Sequence, residues 1–95
     1  VNEGKAREKM ERGTKAEALL RNEILREAFE YLEKEFVSAW KNSGVGDADN
    51  RERLYMLCQN LSALEGYIKS VIEDGKLARA ALDELQSRLK YEKRK

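Results

Sequence analysis

From Leu57 to Leu89 the chain returns to one helix face at alternating steps of four and three: Leu57, Leu61, Leu64, Ile68, Val71, Gly75, Ala78, Leu82, Leu85 and Leu89. A strand would show a period of two instead. A phase kept this long predicts a helix held against another helix along a single line, as in a coiled coil. Asp74-Gly75 could mark a turn, and a glycine inside a helix costs about 1 kcal/mol relative to alanine. A turn would have no reason to preserve the phase, so the reading favours one helix over residues 50–92, bent at Gly75. The alternative is a third helix that starts at Lys76. Gly75 and Ala78 read equally well as a weak point or as a place where two backbones come close.

A second stripe lies upstream. Leu25, Phe29, Leu32, Phe36 and Ala39 also step by four and three. Ile24, Ala28, Tyr31 and Trp40 widen it into a broader apolar face. Thr14 and Glu17 have the spacing of a capping box, which predicts a helix over residues 14–42. Residues 43–49 hold two glycines and read as the loop, with Asp49 and Glu52 as a second capping box. Residues 1–13 are polar, with Met10 the one large apolar residue after Val1, and read as a flexible lead.

The expected fold is therefore all-α: a long antiparallel helical hairpin with a coiled-coil-like seam, dimerising into a helical bundle. The chain has 95 residues, is 39% charged and lacks proline, the composition of long helices. The core and interaction seam would be Leu25, Phe29, Leu32, Phe36, Trp40, Leu57, Leu61, Leu64, Ile68 and Val71. The first helix should span about 43 Å and the second about 65 Å. Leu82, Leu85 and Leu89 then overhang the first helix and become candidate oligomer contacts. Tyr55 and Tyr67 flank the second seam.

Side chains for catalysis are scarce. The chain has no histidine, so the commonest general base and metal ligand is missing. Glu23, Glu27 and Glu30 share a face with Arg26 and Lys34 and read as a solvated run. The one cysteine, Cys58, has no partner for an internal disulfide and reads as a small residue at the seam's edge. No enzyme activity, metal or cofactor is expected. The net charge is +1, yet residues 75–95 hold Lys76, Arg79, Arg88, Lys90, Lys93, Arg94 and Lys95 against Asp83, Glu84 and Glu92. Arg88, Lys90, Lys93, Arg94 and Lys95 are the candidates for contacts with phosphate or an acidic partner. No apolar run approaches a membrane span, and residues 1–13 do not resemble a signal peptide, so a cytoplasmic protein is expected.

The run Ala18-Leu19-Leu20-Arg21-Asn22, then Ala28-Phe29, Trp40, a short polar loop, Arg51-Glu52 and Asp74-Gly75-Lys76-Leu77-Ala78 resembles small helical proteins of tailed phages and prophages. These are encoded in the head and packaging gene region. The resemblance covers roughly residues 16–85 and carries over no functional residue. It implies a non-enzymatic role in virion assembly or DNA packaging, in the host cytoplasm or the virion. The alternatives are a small inhibitor of a host protein and a nucleic-acid-binding accessory protein that uses the basic end. The expected partner is a second copy, with a further protein partner unspecified, nucleic acid as the alternative and no membrane.

Overall fold

The computed structural model describes residues 2–93, the side chain of Lys93 excepted. Those residues are all-helical: α1 spans Glu3–Arg21, α2 spans Glu23–Lys41 and α3 spans Ala48–Lys93. They form two compact units. Among the described residues, one contains 2–19 and 68–93, the other 20–67.

The N-terminal segment departs most from expectation. Residues 3–13 are helical and belong to α1, in place of the expected lead. Thr14 is not a cap. It lies inside α1, where its hydroxyl donates to the Met10 carbonyl one turn back at 3.1 Å. The expected helix over 14–42 is interrupted at Asn22, which leaves the helical region at φ −65° and ψ 120°. The Asn22 side-chain oxygen accepts from the Leu25 N–H at 2.9 Å, and its carbonyl accepts from the Arg26 N–H at 3.0 Å. This is an N-cap, which satisfies donors that a helix start leaves open. One residue thus ends α1 and opens α2 without glycine or proline.

In the first unit, α1 packs against the C-terminal part of α3. Ala6, Ala78 and Leu82 form its core, with Met10 partly buried beside them. Further along α1, Gly13 meets Gly75. A higher number on α1 thus meets a lower number on α3, so the two segments run antiparallel. Gly13 and Ala16 are buried as well. Small residues keep this line shallow, so the two backbones approach until they touch.

In the second unit, a short loop joins α2 to the first part of α3. Asn42 caps α2 with its N–H on the Ser38 carbonyl. The Ser43 N–H and hydroxyl both donate to the Trp40 carbonyl, at 3.2 and 2.6 Å. The Arg51 guanidinium reaches back across the loop and donates to the carbonyls of Gly44 and Val45. The Arg51 N–H donates to the Asp47 carbonyl, so α3 begins after Asp47, two residues before the expected cap. Asp49 lies in the first turn, where a negative charge suits the helix dipole. None of the described glycines has a positive φ, so Gly44 and Gly46 break the helix without a left-handed turn. α3 is unbroken through Gly75, as the constant phase predicted.

Candidate interaction surface

The expected seam splits between two environments. Leu25, Phe29, Phe36, Leu61, Ile68 and Val71 are half-buried. Leu32, Trp40, Leu57 and Leu64 are exposed. The shielded line on the first part of α3 instead runs Leu54, Cys58, Leu61, Glu65 and Ile68, with Leu54 buried. It is turned from the expected line, so that Leu57 and Leu64 lie on its flank, Leu57 partly covered and Leu64 more than half exposed.

Helical geometry shows where those flanks lie. Each residue advances about 100° round the helix. Turning against that sense from the shielded line of α3 meets Leu57, Leu64 and then Tyr67. The same turn from the shielded line of α2, through Leu25, Phe29 and Phe36, meets Leu32, Ala39, Ala28, Ile24 and Tyr31. The two helices run in opposite directions, so the same turn goes to opposite hands in space. Where α2 and α3 pack side by side beyond the loop, both flanks therefore land on one side of the pair.

That side is apolar and open. Ile24 is 71% exposed, Tyr31 63% and Leu64 54%. Among the described residues, α2 has none that is buried, although its sequence is strongly two-sided. The other flank of α2 carries Arg26, Glu30, Glu33, Lys34 and Lys41. Near the loop on that side, Val37, Trp40, Leu54, Tyr55 and Cys58 line a small apolar cavity of about 110 Å³.

The expected overhang does not exist as such. Leu82 is 6% exposed and is covered by Ala6 and Met10 of α1. Leu85 is half-buried, and of the three only Leu89 is exposed. The cover comes from the segment that had looked like a flexible lead. Sequence reading missed Ala6, Gly13 and Ala16 as a contact line because none is large, although their spacings of seven and three residues are a helical signal.

At the basic end, Arg88 donates to Glu84 at 2.8 Å in an exposed i,i+4 pair. Lys90 is exposed. The Lys93 side chain, Arg94 and Lys95 lie outside the described residues. No helix among the described residues is long and apolar enough to cross a membrane. In comparisons with known protein families, curated proteins and solved structures, the chain matches none.

Proposed function

We propose that this chain is a helical interaction protein, acting by contact between helix faces and not by chemistry on a substrate. One observation carries the reading. Ile24, Tyr31, Leu32, Leu57 and Leu64, which fall on matching flanks of α2 and α3, are all solvent-exposed to a third or more. Their exposed surface is on the order of 600 Å², at the upper end of the apolar patches that monomers normally show. Such a patch is the usual mark of a binding surface. The setting we propose is virion assembly or DNA packaging, which follows from the resemblance to small phage proteins.

The test is a photo-crosslinking amino acid placed at Tyr31, with the same group at Lys34 on the charged side as control. In the cell that naturally makes the protein, Tyr31 should give a discrete crosslinked species and Lys34 none. Absence of any crosslink at Tyr31 would overturn the reading.

A further inference from the structure

We infer that the occupant of this apolar side is a second copy of the chain, laid hairpin on hairpin to close a four-helix bundle. The inference rests on the proposed contact function and names its partner. The first argument is width. The open side spans two antiparallel helices, with Ile24, Tyr31 and Leu32 on one and Leu57 and Leu64 on the other. A lone partner helix would settle over the line between them. Another two-helix face covers both flanks, and bundles are built in this way.

The second argument is area. Two such sides together would bury on the order of 1,200 Å², above the roughly 1,000 Å² that a specific interface needs. The third is charge. The apolar flank of α2 is interrupted by Glu35, and the corresponding flank of α3 carries Arg53. Laying α2 of one copy over α3 of the other turns Glu35 toward the helix that bears Arg53. Laying α2 over α2 would set it against a second acidic helix. Opposite charges across an interface fix register more than they add affinity.

This places self-association on the hairpin of residues 20–67 and not on Leu82, which α1 already covers. The experiment is light scattering after size exclusion on the full chain at tens of micromolar. Helicity is followed by circular dichroism. Wild type should have the mass of a dimer. Ile24→Glu combined with Leu64→Glu should give a monomer of unchanged helicity, since both side chains are more than half exposed within one chain. Leu89→Glu, on the other unit, should remain a dimer. Glu35→Arg should weaken association at least tenfold, and Glu35→Arg with Arg53→Glu should restore it. A monomeric wild type would overturn the inference, as would a double-glutamate variant that stays dimeric, dissociation by Leu89→Glu, or charge reversal without rescue. A purified monomer whose Tyr31 position still crosslinks to a different protein in its own cell would overturn the second copy alone. Loss of that crosslink would remove the contact reading itself.

Discussion

Gly13 and Gly75 meet backbone to backbone where α1 crosses α3. A methyl group built on Gly75 would stand 3.0 Å from the Gly13 Cα and 2.9 Å from the Lys9 carbonyl oxygen. Neither neighbour is a flexible side chain, so neither can swing aside. Both glycines have helical φ values, so they are needed for space and not for an unusual conformation.

The first prediction contrasts two glycines of α3. In open helix, glycine to alanine stabilises by about 0.5–1 kcal/mol. Gly66 has nothing within 4 Å of its virtual Cβ, so Gly66→Ala should show that gain. At Gly75 the same change forces the helices apart and should cost about 1–3 kcal/mol net, the usual cost of overpacking. Thermal denaturation of the two variants should move in opposite directions. Equal shifts would mean that the crossing is loose.

The second prediction concerns the two residues that compete to start a helix. Asn22→Ala removes a cap and should cost about 1 kcal/mol. Thr14→Ala removes only a hydroxyl bonded back to Met10 inside α1, and should be neutral or stabilising by up to about 0.5 kcal/mol. Urea titration separates the two. A larger loss at Thr14 would move the helix start to where its sequence suggests.

The third prediction tests the cover over Leu82. Leu82→Ala should cost about 2–4 kcal/mol, the range for a truncated core leucine. It should also speed amide exchange along α1. Deleting residues 80–95 should have the same effect, more strongly, because Ala6 and Met10 lose their partner. Unchanged protection in α1 would show that Leu82 is not its anchor.

The fourth prediction is local. Arg51→Ala should lower stability by about 0.5–1.5 kcal/mol, because the Gly44 and Val45 carbonyls lose their donor and exchange it for water. Exchange should rise at the loop and at the first turn of α3. An effect confined to residues beyond 60 would contradict this role.

Much of the architecture is legible in the residues. The phase through Gly75 foretells one uninterrupted α3, and the Ser43–Asp47 segment announces the break between α2 and α3. What misled was size. A search for large apolar residues finds Met10 alone in the first thirteen after Val1, while the packing there is made by Ala6 and Gly13. Glycine is ambiguous in a single helix, since it marks either a break or a close contact, and only the facing residue decides. At Gly13 the facing residue is Gly75, some sixty positions away. Asn22 was hidden for a related reason. It interrupts no apolar pattern, because the cap costs a single residue and uses a side chain that is equally common on a solvated helix face. The exposed apolar face was half legible. Ile24 and Tyr31 were seen as widening the stripe, but the rotation that exposes Leu57 and Leu64 depends on which α3 positions α2 selects.

The pairing of Ala6 with Leu82 has a consequence for the order of events during synthesis. Residues 20–67 form a compact unit of contiguous sequence, which can assemble while the rest is still being made. α1 leaves the ribosome before α2 but finds its partner after it, because Leu82 is added sixty-one residues after Arg21. At ordinary translation speeds of about 5–20 residues per second, that interval is roughly 3–12 s. Throughout it α1 lacks the cover of Ala78 and Leu82, and most of a helix's stability in a protein comes from such packing. Its small-residue surface suits that wait: alanine and glycine offer little for a stray chain to adhere to, while they still permit a close fit once the right helix arrives.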